Sequence, residues 1–147
     1  MRNRKKSKLA NWLSIIRWGN TLVAFLCVFI GFHLGTDSVV ALREWILAFV
    51  TVGFIFAGGN ALNDYIDSEI DNTAHPGRPI PSGALKKNSV LRVGTSLFSI
   101  GVLFALAGIG LGYYLASSIA IFSAGILLFY NLYLKKIPLL GNISIGL

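Results

Sequence analysis

Long runs of apolar residues without a charged side chain dominate the sequence. They cover Trp18–Thr36, Trp45–Asn63 and Val93–Leu134. A transmembrane helix needs about 20 predominantly apolar residues, so each of the first two runs fits one crossing. The third run is about twice as long and contains a glycine-rich segment at 108–112, which predicts two helices joined by a turn. The hydrophobic pattern therefore predicts four complete transmembrane helices.

The fold class that this pattern predicts is an all-α membrane protein, a transmembrane bundle in a single domain over residues 1–147. The boundaries between polar and apolar segments place the helices at about 12–34, 43–71, 89–107 and 113–134. A fresh apolar run continues to Leu147, so we expect the start of a fifth helix over residues 138–147. The domain is therefore expected to be truncated at its C-terminus.

The composition agrees with a membrane protein, and the charge distribution indicates its topology. Hydrophobic residues make up 54% of the chain and charged residues only 13%, about half the share that is usual in soluble domains. The net charge of +7 comes mainly from basic residues before the first helix, between the second and third, and after the fourth. This positive-inside pattern predicts a multi-pass protein of the cell membrane with a cytoplasmic N-terminus. Because no patterned basic face with interleaved aromatic residues is present, the sequence does not indicate nucleic-acid binding.

Four of the six acidic residues lie in one short segment at the end of the second predicted helix. Asn63, Asp67 and Asp71 are spaced four residues apart and share one helix face, and Asp64 lies beside that face. Carboxylates next to hydrocarbon are costly unless they are paired, solvated or bound to a cation. Mg²⁺ usually takes one or two carboxylates and completes its shell with water and phosphate oxygens. The segment therefore predicts a cytoplasmic site for Mg²⁺ and a diphosphate.

Further polar residues are predicted at the same membrane level. Arg17 and Asn20 lie in the first turns of the first helix; either Arg17 reaches the lipid headgroups, or both face a polar cavity shared with the acidic segment. Asn60 either joins the site or hydrogen-bonds a neighbouring helix. The end of the fourth helix carries Tyr130, Asn131 and Tyr133 close to Lys135 and Lys136. This group forms either an aromatic belt or part of a phosphate pocket at the level of the acidic segment.

The segment between the second and third helices is rich in proline. Pro76, Pro79 and Pro81 exclude a regular helix there, because proline lacks the N–H group and clashes with the preceding turn. The same prolines stiffen the segment and are expected to hold Arg78 in a fixed place.

Two motifs in this region resemble those of the UbiA family of intramembrane prenyltransferases. The family's first aspartate motif, N-D-x-x-D-x-x-x-D, is similar to residues 63–71, Asn-Asp-Tyr-Ile-Asp-Ser-Glu-Ile-Asp. The segment that follows it in the family is similar to residues 78–83, Arg-Pro-Ile-Pro-Ser-Gly. The order of the two motifs and their position after a second hydrophobic helix make the resemblance specific, and it spans most of the chain.

The resemblance implies a helical bundle around a central cavity, in which Mg²⁺ serves as cofactor. A prenyl group passes from its diphosphate to an aromatic or lipid-like acceptor within the bilayer.

By this resemblance, the residues that hold Mg²⁺ are Asn63, Asp67 and Asp71, with Asp64 close by. Those that bind the diphosphate are Arg78 and Lys135, together with Arg17, Asn20 and Asn60. Asp67 and Asp71 are also implied to be catalytic, with Tyr130 facing the reacting prenyl carbon.

The acceptor is a separate expectation. The two motifs are most similar in wording to members that add a second geranylgeranyl chain to geranylgeranylglycerol phosphate, which implies ether-lipid synthesis. Quinone and tocopherol precursors, chlorophyll and haem are the alternative acceptors. The family's second aspartate motif does not occur in the 147 residues, so the chain is expected to be an N-terminal half that is inactive alone.

Other classes of protein fit the sequence less well. CDP-alcohol phosphotransferases need D-G-x-x-A-R, which Asp67-Ser68-Glu69-Ile70 does not supply. A soluble prenyl synthase would carry D-D-x-x-D on amphipathic helices, which the apolar runs exclude. A non-catalytic membrane subunit that uses its acids for structure remains the alternative, and the sequence leaves the oligomeric state open.

Overall fold

The structure is a computed structural model that describes residues 7–35 and 39–136, and these residues are entirely helices, turns and loops. The helices are α1 (Lys8–Ile15), α2 (Trp18–Gly35), α3 (Leu42–Ile66), α4 (Ser68–Ala74), α5 (Lys87–Gly110) and α6 (Tyr114–Leu132), followed by a short 3₁₀ helix (Leu134–Lys136). Helices α2, α3, α5 and α6 are long and apolar enough to cross a membrane. The prediction of an all-α, multi-pass membrane protein with four transmembrane helices is confirmed. The predicted fifth helix lies outside the described residues.

The predicted first helix, 12–34, is wrong in one respect, because it is broken into α1 and α2. Arg17 lies at the break with a φ of 49°, a conformation that residues with a side chain rarely adopt. The carbonyl oxygen of Ile16 accepts hydrogen bonds from Asn60 Nδ2 at 3.2 Å and from Thr21 Oγ1 at 3.3 Å. Contacts with a distant helix therefore stabilise a break that the local hydrophobic pattern does not indicate.

The predicted second helix, 43–71, is also divided, with Asp67 at the junction of α3 and α4. The backbone N–H of Asp67 donates to the carbonyl of Asn63, and that of Asp71 donates to the carbonyl of Asp67, each at 2.9 Å. The four-residue spacing therefore continues through the junction, and the acidic stripe remains aligned. Helix α4 then extends to Ala74, beyond the predicted end.

The long apolar run forms two helices, as predicted, but the turn lies later than expected. Helix α5 continues to Gly110, and the turn follows at residues 111–113, where Gly112 has a φ of 92°. Gly108 is still helical, and it packs directly against Ser117 of α6. Residues 75–86 form turns without a regular helix, as the prolines predict.

Helix α3 packs most extensively against α5. Glycines allow this close approach: a Cβ atom on Gly58 would lie 2.7 Å from the Cα of Phe98, and one on Gly101 would lie 2.7 Å from the backbone nitrogen of Ile55. Membrane helices lack a hydrophobic driving force against lipid, so such contacts between small residues hold them together. This interface fixes the helix that carries most of the acidic segment.

A second packing centre lies at the end of the bundle that carries the acidic segment. It brings together α1, α3, the proline segment and α5, through Ile15, Ala61, Leu85 and Val90, with Trp12, Tyr65 and Ile80 packed against them. At the opposite end, the hydroxyl of Tyr113 donates to Glu44 Oε1 at 2.9 Å. The fold therefore gathers α1 and the proline segment around the acidic residues.

Candidate diphosphate and metal site

Three basic side chains from three separate segments each pair with a carboxylate of the acidic segment. The pairs are Arg17 with Asp64 at 3.1 Å, Arg78 with Asp71 at 2.6 Å, and Lys135 with Asp67. We call these six residues the ion-pair cluster. The predicted site residues that carry charge thus come together, although they lie far apart in the sequence.

The acidic and the basic members of the ion-pair cluster differ in exposure to solvent. The carboxylates of Asp64 and Asp71 are 9% and 6% exposed, whereas each basic partner keeps about a third of its side-chain surface open. Buried carboxylates at this depth require a partner, because an unpaired charge in a medium of low dielectric constant is strongly destabilising. The buried acids are therefore neutralised by basic groups that an incoming anion can still reach.

Each basic residue is positioned by its own local structure. The break between α1 and α2 turns Arg17 towards α3. In the proline segment, the backbone N–H of Arg78 donates to the carbonyl of His75 at 3.0 Å, and the N–H of Ser82 donates to the carbonyl of Arg78 at 2.9 Å. Lys135 lies in the 3₁₀ helix after α6. These turns place all three basic groups at one end of the bundle.

The oxygens expected to hold Mg²⁺ are engaged by an ammonium group in this structure. Lys135 Nζ donates to Asn63 Oδ1 at 3.0 Å and to Asp67 Oδ2, while Asn63 Nδ2 donates to Asp67 Oδ2 at 3.1 Å. In the described part of the chain, no three His, Cys, Asp or Glu side chains converge as a metal cluster. Mg²⁺ needs only one or two carboxylates when phosphate and water oxygens complete its shell. The donor set of Asn63 and Asp67, with Asp71 one turn further along, therefore fits Mg²⁺ that is shared with a diphosphate.

Comparison with known proteins identifies the family of this chain. The family model of the UbiA prenyltransferases matches residues 24–147. The chain belongs to the UbiA prenyltransferase family. The matched region contains the acidic segment at 63–71 and the proline segment at 75–86. It also contains every residue of the ion-pair cluster except Arg17.

Several relatives in this family carry the same name. A digeranylgeranylglyceryl phosphate synthase of Methanosarcina barkeri is 35% identical over 152 residues, covering 95% of this chain and 51% of the relative. A protein of the same name from Methanospirillum hungatei is 40% identical, covering 93% of this chain and 47% of the relative. A structure solved in work on digeranylgeranylglyceryl phosphate synthase in membranes superposes with a TM-score of 0.81 at 32% identity, covering 95% of this chain and 48% of that chain. The chain therefore spans about half the length of the relatives that it matches.

Not every predicted site residue of this UbiA chain lies in the ion-pair cluster. Asn20 is exposed on α2, and the side chain of Asn60 donates to the carbonyl of Ile16. Of the two interpretations of Asn60, the structure shows a hydrogen bond to a neighbouring segment. Tyr130 is half-buried on α6, one residue before the buried Asn131.

Asn131 was predicted only as a member of the group that forms either an aromatic belt or a phosphate pocket, and not as a separate site residue. It is 3% exposed, and its Nδ2 has no hydrogen-bond partner among the described residues. The signal in the sequence is weak, because a single asparagine near the end of an apolar helix is also common in ordinary helix packing. Only its burial and its position one turn before Lys135 reveal it.

The Arg17–Asp64 pair gives a first testable prediction. The Arg17→Gln variant is expected to lower the free energy of unfolding by about 1–3 kcal/mol, because it leaves a buried carboxylate without its charged partner. Thermal or denaturant unfolding in detergent measures this. The control is Arg92→Gln, which removes an exposed arginine whose Nε donates to the carbonyl of Asn88 within the same helix. Equal stability of the two variants would show that the pair does not hold the break between α1 and α2.

Proposed function

We propose that this chain binds a prenyl diphosphate with Mg²⁺ at the ion-pair cluster and serves in transfer of the prenyl group to a lipid-like acceptor. The acceptor that the relatives' name supports is geranylgeranylglycerol phosphate, in ether-lipid synthesis. The observation that carries the proposal is the pairing of three partly exposed basic groups with buried carboxylates of one helix end. Such a site offers cations to a diphosphate and oxygens to a metal ion.

The proposed orientation places this site on the cytoplasmic side. Lys8, Arg78, Lys86, Lys87 and Arg92 lie at the same end of the transmembrane helices as the acidic segment. Basic residues next to membrane helices accumulate on the cytoplasmic side. A water-soluble metal ion and a diphosphate head group would therefore reach the site from the cytoplasm.

The leaving group carries most of the charge that the reaction develops. Mg²⁺, when bound, supplies charge stabilisation to the departing diphosphate, and Asn63, Asp67 and Asp71 would hold it. The guanidinium of Arg78 and the ammonium of Lys135 exchange their carboxylate partners for diphosphate oxygens. Preorganised cationic donors of this kind stabilise charge as it develops, because they need little reorganisation at the moment of reaction.

The prenyl chain itself needs an apolar path away from the cluster. A cavity of about 660 Å³ lies between α2, α3 and α6 towards the end of the bundle opposite the ion-pair cluster, and Thr51 and Val52 of α3 are among its lining residues. At 1.5 Å per helical residue, Thr51 lies about 18 Å along α3 from Asn63, which is comparable to an extended geranylgeranyl chain. The aromatic ring of Tyr130 is proposed to lie beside the allylic carbon, where its face stabilises positive charge. Apolar walls exclude the water that would capture a carbocation.

Acceptor choice is the part of the proposal that an activity assay tests. The chain spans about half of its relatives, so for the assay it is fused to the remaining half of the Methanosarcina barkeri protein. The intact relative serves as the positive control. Labelled geranylgeranyl diphosphate is offered with geranylgeranylglycerol phosphate or with 4-hydroxybenzoate. We expect Mg²⁺-dependent label only in the lipid product. Label in the aromatic product would instead support the quinone-type alternative, and a chimera that folds but transfers to neither would contradict a catalytic role.

A further inference from the structure

Asn131 carries a buried hydrogen-bond donor without an acceptor. Its side chain is almost fully enclosed, and no other buried side-chain nitrogen or oxygen within residues 7–35 and 39–136 lacks a partner. A buried amide donor that is left unpaired destabilises the folded state, because it has lost its hydrogen bonds to water. The remaining buried polar groups of the described bundle avoid this cost, so the position of this single amide calls for a physical reason.

The register of α3 and α6 places Asn131 opposite Asn63. Both helices run in the same direction. Two contacts define their register, because each joins residues that are 68 positions apart in the sequence: Leu127 with Gly59, and Lys135 with Asp67. Asn131 and Asn63 are also 68 positions apart, and each lies one helical turn from the contact residues on its own helix. The two amides therefore lie at the same level of the α3–α6 interface.

Asn63 uses both of its polar atoms in the ion-pair cluster. Its Nδ2 donates to Asp67 Oδ2 at 3.1 Å, and its Oδ1 accepts from Lys135 Nζ at 3.0 Å. A carbonyl oxygen has two acceptor positions. When Lys135 turns to a diphosphate, Oδ1 of Asn63 loses the donor that defines its orientation. An amide without such a partner can rotate and present its NH₂ group to the metal ion, which cannot coordinate it.

Building on the proposed function, we propose that Asn131 is a positioning residue of the metal–diphosphate site. Its Nδ2 donates a hydrogen bond to Asn63 Oδ1 once Lys135 has moved to the diphosphate, and this bond holds Oδ1 towards Mg²⁺. The second acceptor position of the same oxygen remains for the metal ion. Partners of this kind orient metal ligands, and their loss weakens metal binding by about 10–100-fold. The unpaired donor of Asn131 is thus a group that can take the acceptor position on Asn63 Oδ1 that Lys135 occupies before the site is loaded.

The test uses Mn²⁺ as a spectroscopic substitute for Mg²⁺ and inorganic pyrophosphate as the anion. Binding of Mn²⁺ to the purified chain with pyrophosphate present is followed by electron paramagnetic resonance. In the Asn131→Leu variant, the Kd for Mn²⁺ is expected to rise by about 10–100-fold. The Tm measured without metal or pyrophosphate is expected to stay the same or rise, because leucine fills the same space without an unpaired donor. The Asn131→Ala variant, which adds no bulk, is expected to show the same loss of Mn²⁺ affinity.

The combination of the two measurements separates the possible outcomes. Wild-type Mn²⁺ affinity in both variants would overturn the role of Asn131 and leave the proposed function intact. A large drop in Tm in both variants, without metal, would mean that Asn131 serves the fold, and would equally overturn the inference. A wild-type chain that binds no Mn²⁺ in the presence of pyrophosphate would overturn the proposed function and this inference with it.

Discussion

Replacement of Asp67 by asparagine is expected to weaken the binding of geranylgeranyl diphosphate by about 100-fold or more in the presence of Mg²⁺. Loss of an outer partner of a metal ligand already costs about 10–100-fold, and Asp67 is proposed to be a ligand itself. Its carboxylate oxygen Oδ2 also accepts hydrogen bonds from both Asn63 and Lys135. Equilibrium binding of the labelled diphosphate to the purified chain, at several Mg²⁺ concentrations, measures the effect.

The matched control for this variant lies two residues further along the chain. Glu69 is 87% exposed, and its carboxylate pairs with Lys87 at 3.5 Å, its one basic partner in the described part of the chain. The Glu69→Gln variant removes the same charge from the same segment and is expected to bind like the wild type. If Asp67→Asn and Glu69→Gln bind equally well, the acidic stripe does not hold the metal and the diphosphate.

The Gly58→Leu variant is expected to disrupt the packing of α3 against α5 and to destabilise the bundle strongly. A Cβ atom there would lie 2.7 Å from the Cα of Phe98 and 2.8 Å from the carbonyl oxygen of Gly94. Both neighbours are backbone atoms of α5, so they cannot rotate away, and the two helices must separate. Because overpacking costs about 1–3 kcal/mol even where side chains can adjust, we expect at least that loss in the free energy of unfolding. Folded yield in detergent and the thermal midpoint measure it.

Gly125 offers the corresponding control. It lies within α6, and a Cβ atom on it would meet none of the described residues within 4 Å. The Gly125→Leu variant adds the same side chain to a membrane helix without a clash and is expected to fold like the wild type. Equal yields and midpoints for both variants would show that the α3–α5 contact does not limit the stability of the bundle.

The transmembrane helices were predictable because their signal is local. Each crossing is an uninterrupted apolar run, and the membrane requires every backbone group within it to be hydrogen-bonded, which a helix achieves by itself. The breaks next to Arg17 and at Asp67 were not predictable from those runs. At the first break, Ile16 and Arg17 contact Asn60 and Asp64 of another helix, and no short-range pattern carries that information.

The candidate site was predictable to a different extent. The spacing of Asn63, Asp67 and Asp71 aligns them on any helix, and the stripe is present in the structure. The partner of each carboxylate depends on how α1, the proline segment and the end of α6 pack, so the pairs follow only from the fold. The exposure of Asn20 on α2 and the enclosure of Asn131 are likewise consequences of helix rotation, which a nearly uniform apolar sequence does not specify.

The most direct test of the account is a structure of the chain with Mn²⁺ and a non-reactive thio-analogue of geranylgeranyl diphosphate. The anomalous scattering of Mn²⁺ locates the metal without reference to a model of the side chains. We predict a peak within coordination distance of Asn63 Oδ1 and the Asp67 carboxylate, with Lys135 and Arg78 bound to diphosphate oxygens. A metal peak elsewhere, or Lys135 still paired with Asp67 while the analogue is bound, would contradict the account.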